Sequence, residues 1–163
     1  MFPDDIEAAA QRLVKAAIDA GVSLSTAESC TGGLVGAAIT SVAGSSAVYD
    51  RGFITYSNAA KAVLLGVDEA LLEAHGAVSE PVARAMAAGA RKRSGADLAV
   101  SITGIAGPGG GSAEKPVGLV HFGLALADGS TRHREMRFGD LGREQVRIAS
   151  VRVALDLLED GLA

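Results

Sequence analysis

Among its 163 residues the chain has one cysteine, three histidines, four prolines, two tyrosines and no tryptophan. A single cysteine, Cys30, cannot close an internal disulfide, and it offers no ligand cluster with metal spacing. His75, His121 and His133 do not change this, because no two are close in sequence and none sits in a metal-binding motif. No metal or cofactor is therefore expected. Aromatic residues make up only 4%, so the core has to be built from aliphatic side chains and alanine. Long apolar runs are also missing: the opening "MFPDDIEAAAQRLVKAAIDAG" carries acids and no continuous hydrophobic stretch. That excludes a signal peptide and a membrane span, and predicts a cytoplasmic protein without a membrane partner. A formal net charge of −4 argues against a general nucleic-acid-binding surface. Repeats, charge blocks and linkers are absent, which predicts one domain over 1–163 that buries roughly 70% of its unfolded surface.

Glycine is what the chain has in excess: 21 residues, nearly twice the usual share of about 7%. Several lie in clusters, as expected of loops where backbone approaches backbone or a ligand. Between them the patterns alternate. Asp4 or Asp5 is placed to cap a helix with Ile6, Ala10, Leu13, Val14, Ala17 and Ile18 on one face, ending at Gly21. "VSLSTAES" alternates as a strand, and "TGGLVGAAITSV" continues it through a glycine turn into a helix. "RGFITY" reads as a strand, while "NAAKAVLLG" and "DEALLEAHG" read as helices stopped by Gly66 and Gly76. Ser79, with Pro81 in the first turn, opens a helix to about Arg93, followed by the apolar strand "ADLAVSI". Asp128-Gly129 between "VGLVHFGLALA" and "TRHREMRF" predicts an antiparallel hairpin. A last helix, capped by Asp140, is expected to bury Val146, Ala149, Val153 and Leu157. The fold class that follows is α/β: a three-layer α/β/α sandwich with a mixed sheet including one antiparallel hairpin.

Candidate chemistry falls on four stretches. Glu28-Ser29-Cys30-Thr31-Gly32-Gly33 lies where a strand ends and a helix starts, the usual ligand position of open α/β sheets. A helix N-terminus there favours a thiolate, so a cysteine hydrolase using Cys30 as nucleophile is one reading. Glu28 can bind a ligand or serve as the helix's N-terminal anion. The run "TGIAGPGGGSAEKP", from Thr103 and Gly104 onward, is long for a connection and rich in amides that can form an anion nest. It lacks the Gly-Lys-Ser/Thr of a Walker loop. Arg143, in the first turn of the last helix, opposes the helix dipole unless an anion binds there or an acid such as Glu144 pairs with it. Finally, "AGSSAVYDRGFITYSNAAK" sets Ser45 and Ser46 before Tyr56 and Lys61. A serine needs a proton acceptor, and a lysine of lowered pKa can be one.

In this order, "TAESCTGG", "GSSAVYDRGFITYSNAAK", "GAVSEPVARAMA", "SITGIAGPGGGSAEKPVG" and the Gly139-Asp140 start of the last helix resemble the CinA C-terminal domain family over nearly the whole chain. In full-length CinA proteins another domain precedes this unit, and the chain is similar to the stand-alone form. The resemblance implies a nicotinamide-nucleotide amidohydrolase of the PncC type, which deamidates nicotinamide mononucleotide to nicotinate mononucleotide and ammonia without a metal. It implies Ser46, Tyr56 and Lys61 as catalytic residues, Thr103 and Arg143 as nucleotide ligands, and Glu28 through Gly33 as pocket lining. A non-catalytic nucleotide-binding module using the same pocket is the alternative. A homo-oligomer is expected, and no nucleic-acid partner.

Overall fold

The computed structural model describes residues Met1–Ala163. Helix α1, Asp4–Ala20, is followed by strand β1, Leu24–Glu28, and helix α2, Leu34–Thr40. A single 3-10 turn, Ser45–Ala47, leads into β2, Tyr49–Ile54, then α3, Asn58–Leu65, α4, Glu69–His75, and α5, Glu80–Ser94. Strands β3, Leu98–Gly104, β4, Leu119–Ala125, and β5, Thr131–Arg137, precede the closing helix α6, Arg143–Gly161. The five strands form one sheet in the order β2-β1-β3-β4-β5, parallel across β2-β1-β3 and antiparallel across β3-β4-β5.

Helices α1, α2 and α6 cover one face and α3, α4 and α5 the other, so the fold is the expected α/β/α sandwich. The larger core lies under α1, α2 and α6 and includes Ile6, Leu13, Ile39, Phe122, Leu155 and Leu158. The smaller one lies under α5 and includes Ala27, Leu65, Val82, Met86 and Ala90. Helices on both faces explain why β1 is buried along its whole length instead of alternating. Its polar residues are satisfied: Ser25 donates to the Arg51 carbonyl, and the Thr26 and Tyr49 hydroxyls are 2.9 Å apart.

Several helix ends match their sequence signals. Gly21, Gly66 and Gly95 terminate α1, α3 and α5 in left-handed conformation, and the Ser79 hydroxyl accepts from Val82 N at the start of α5. Others differ. Pro3 precedes α1 without a side-chain cap, and Asp4 and Asp5 lie inside the first turn, where Asp5 pairs with Arg152 of α6. Ile18 is exposed, off the buried stripe. Helix α6 starts three residues beyond Asp140, after Gly142 at φ 87, with no side-chain cap. Its buried line runs through Val146, Ser150, Val151, Ala154, Leu155, Leu157 and Leu158, leaving Ala149 and Val153 half-buried.

Gly89 marks the closest helix contact: a Cβ built there would sit 2.0 Å from the Leu65 carbonyl oxygen at the end of α3. Since backbone cannot swing aside as a side chain can, Gly89→Ala is expected to cost about 1–3 kcal/mol. A lower urea midpoint with unchanged slope measures this; an unchanged midpoint contradicts it.

Candidate active site

The turn after β1 is held from both sides. Glu28, the last residue of β1, is 1% exposed. Its Oε1 accepts from the Thr31 hydroxyl and Val35 N, both at 2.8 Å, and its Oε2 accepts from Gly36 N at 3.0 Å. The carboxylate thus satisfies the first amides of α2 and complements its dipole. Glu28 and Thr31 thus direct their side chains at each other and at the start of α2. Gly32 and Gly33, at φ 59 and 103, complete the turn in conformations that side chains disfavour. Arg147 reaches from α6 to clamp it, donating through Nε to the Cys30 carbonyl at 3.0 Å and through Nη2 to the Thr31 carbonyl at 3.2 Å.

Ser29 and Lys61 meet at this turn. The Ser57 hydroxyl caps α3 by accepting from Ala60 N, and Lys61 follows in the next position. Lys61 Nζ lies 3.2 Å from Ser29 Oγ and 3.1 Å from the Thr55 carbonyl oxygen. Lys61 is 2% exposed, and none of the chain's ion pairs involves it. Burial lowers its pKa below the usual lysine value. A neutral amine so placed can donate one N–H to Thr55 and present its lone pair to the Ser29 hydroxyl. The neighbouring Cys30 has the opposite character: burial pushes its thiol up to about 11. A thiol of that acidity is protonated at neutral pH, and this argues against Cys30 as the nucleophile.

The remaining candidates divide between the two ends of the sheet. β1 and β2 are parallel, with Leu24 opposite Tyr49 and Glu28 opposite Ile54. Ser45 and Ser46 precede β2 and so lie at the Leu24 end, whereas Ser29, Thr55, Tyr56 and Lys61 lie beyond the Glu28 end. Five residues of strand separate these levels by roughly 15–20 Å. Ser46 is exposed and Ser45 buried, and neither bonds to Tyr56 or Lys61. The structure therefore brings together Lys61 and Ser29, with Tyr56 two residues past the strand, but not Ser46. Tyr56 is bound instead to Arg143, whose Nη2 donates to its hydroxyl at 2.7 Å while Nη1 donates to the Gly107 carbonyl at 2.8 Å. Arg143 thereby joins α6, the β2–α3 connection and the glycine-rich loop. Thr103 is 1% exposed and donates to the Ala77 carbonyl at 2.9 Å. Gly104 is required for packing, since a Cβ there would lie 2.6 Å from Val120 Cγ2.

The family described as CinA C-terminal domain matches residues 6–162. The chain belongs to the CinA C-terminal domain family. It is 57% identical over 143 residues to a CinA-like protein of Mycolicibacterium vanbaalenii, covering 88% of this chain and 34% of that one. The chain spans about a third of the length of the CinA-like relatives it matches. It is 55% identical to the nicotinamide-nucleotide amidohydrolase PncC of Enterobacter agglomerans, over 85% of this chain and 88% of that one. The crystal structure of competence/damage inducible protein CihA from Agrobacterium tumefaciens superposes with a TM-score of 0.96 at 55% identity, covering 98% and 97% of the two chains.

Two features of this CinA C-terminal domain have little or no signature in the sequence. Arg147 is one of three arginines on α6, and only the fold shows that it clamps the turn. Thr55 is fully buried beside Lys61, its Oγ1 without a hydrogen-bond partner, at the level where Ser29 and Thr103 also stand. Ser29 did have a signal: it is the first residue past a fully buried strand, directly before the glycine turn.

Proposed function

We propose that this CinA C-terminal domain hydrolyses the carboxamide of nicotinamide mononucleotide, giving nicotinate mononucleotide and ammonia, with Ser29 as nucleophile and Lys61 as base. The observation that carries the reading is the 3.2 Å contact between Ser29 Oγ and the Nζ of a buried lysine with no carboxylate partner. The similarity to a protein named nicotinamide-nucleotide amidohydrolase supports the substrate.

In this scheme neutral Lys61 takes the Ser29 proton as Oγ attacks the carboxamide carbon. The oxyanion needs donors. Within the turn, Gly32 N is engaged by the Ser29 carbonyl, whereas the N–H groups of Cys30, Thr31 and Gly33 have no acceptor in the chain. Thr31 has no exposed surface, so Cys30 and Gly33 supply the donors, each contributing about 3 kcal/mol to the transition state. Protonated Lys61 then gives its proton to the departing nitrogen, releasing ammonia and leaving an ester on Ser29. Water attacks the ester, Lys61 takes the water proton and returns one to Ser29 Oγ, and the carboxylate product leaves. Arg143, with the uncapped N-terminus of α6, holds the phosphate, and Tyr56 orients the nucleotide through its bond to Arg143.

Ammonia release from nicotinamide mononucleotide tests the activity; saturable binding without release would establish a non-catalytic module instead. Arg143→Ala is expected to raise KM for the nucleotide about 10- to 100-fold, corresponding to a charge-assisted contact of 1.5–3 kcal/mol, while the corresponding nucleoside, which has no phosphate, is little affected. Equal losses for both substrates would remove the phosphate from Arg143.

A further inference from the structure

The strands that meet at the site end on a row of hydroxyls that the proposed reaction uses only in part. Glu28 stands opposite Ile54 of β2 and Ile102 of β3, and both ladders run one step further. Thr55 N donates to the Glu28 carbonyl at 2.8 Å, and Ser29 N donates to the Ile102 carbonyl at 2.9 Å. Thr55, Ser29 and Thr103 therefore stand side by side across three parallel strands. Side chains alternate along a strand. Ala27 and Phe53, two residues before Ser29 and Thr55, pack in the core under α5, so the row faces the layer from which Lys61 enters. Two of the hydroxyls have partners: Ser29 Oγ meets Lys61 Nζ, and Thr103 Oγ1 donates to the Ala77 carbonyl ahead of α5. Thr55 is wholly buried, and its Oγ1 has none. A buried hydroxyl without a partner is destabilising where a valine of the same shape is not. A partner that forms only during turnover accounts for it.

We infer that Thr55 is a positioning residue whose Oγ1 accepts an N–H of the Lys61 ammonium formed during the reaction. This rests on the assignment of Ser29 as nucleophile and Lys61 as base. At rest the neutral amine has two N–H groups and one lone pair; one N–H goes to the Thr55 carbonyl at 3.1 Å and the lone pair to the Ser29 hydroxyl. Once Nζ has taken the Ser29 proton it carries three N–H groups in a buried place. Cys30 is the titratable neighbour that acts on its charge, and a protonated thiol does not balance an ammonium. Glu28, beyond the turn, gives both carboxylate oxygens to Thr31 and the amides of α2.

The carbonyl and the hydroxyl of Thr55 then hold two of the three N–H groups. The third, carrying the proton from Ser29, is left directed at the departing nitrogen. That proton passes from Ser29 Oγ to Lys61 Nζ and on to the leaving group, and no bond changes at Thr55. Because Thr55 has no exposed surface, it acts on the substrate only through Lys61.

Thr55→Val keeps the shape and removes the hydroxyl. It is expected to lower kcat for the nucleotide about 10- to 100-fold, the worth of a hydrogen bond to a charged group, with KM little changed and thermal stability kept or raised. The rising limb of kcat/KM moves to lower pH, because an ammonium with one acceptor fewer releases its proton more readily. Thr55→Ser, which keeps the hydroxyl, restores most of the rate and the wild-type limb. A merely structural role lowers stability and rate together and leaves the limb in place. Titration of Lys61 followed by its 13Cε shift needs no substrate: Lys61 must titrate at lower pH in Thr55→Val than in wild type. If that shift is present but wild type releases no ammonia, the amidase reading fails and Thr55 stands as the acceptor of the ammonium. If Thr55→Val does not fold, the wild-type Thr55 13Cβ decides, since it must titrate together with Lys61 13Cε. An unchanged Lys61 titration in folded Thr55→Val, or a Thr55 13Cβ that does not follow Lys61, would overturn the proposal.

Discussion

Ser29→Ala is expected to lower ammonia release from nicotinamide mononucleotide by at least about 10³-fold, while Ser46→Ala leaves it within about twofold. The two serines have the same chemistry, and only position separates them. Ser29 Oγ is 3.2 Å from the buried Lys61 amine, directly ahead of a turn whose Cys30 and Gly33 amides lack acceptors. Ser46 is exposed at the opposite end of β2, where no base is within hydrogen-bonding reach of it. Circular dichroism and thermal unfolding of both variants separate loss of chemistry from loss of fold. The reverse outcome, activity kept in Ser29→Ala and lost in Ser46→Ala, sinks the assignment. It would then require the Ser45–Ala47 turn of a second chain to enter the site.

The contrast between these serines also shows what could be read from the letters. Ser46 and Tyr56 are close in sequence and look like one motif, yet β2 is an extended strand between them and carries them to opposite ends of the sheet. Ser29 and Lys61 are 32 positions apart and meet because parallel pairing of β1 with β2 aligns their C-terminal ends. Local signals fared best where the physics is local: the Asp128-Gly129 hairpin, the Ser79 cap and the glycine stops needed nothing beyond neighbouring residues. Asp140 failed as a cap because Gly142, not the acid, sets the start of α6. Glu28 was legible as a helix anion or a ligand, and only the fold shows the three donors that it meets at the start of α2. Likewise, His121 and His133 are brought into contact by cross-strand register, which leaves no trace in their spacing.

Lys61→Met is expected to reduce turnover by about 10²–10⁴-fold and, in the same protein, to raise stability at neutral pH. Burial lowers the folded pKa of Lys61 below 10.5. Between that lowered value and 10.5 the unfolded chain binds more protons than the folded one, so wild-type stability rises with pH across this window. Below the folded pKa the full penalty of the buried amine is present, and above 10.5 it is gone. Each tenfold loss of proton affinity on folding corresponds to about 1.4 kcal/mol. Methionine removes this term but leaves the Thr55 carbonyl without its Lys61 partner, a loss of about 1 kcal/mol. The gain should therefore be largest at and below neutral pH and vanish or reverse toward pH 10.5. Wild-type kcat/KM should rise with pH through the same lowered pKa and level off above it, because only the neutral amine accepts the Ser29 proton. Urea titrations of both proteins at several pH values measure the first effect, and initial rates measure the second. A stability difference that does not change with pH, or an activity that falls as pH rises through this window, would show that the amine is charged in the working site and cannot be the base.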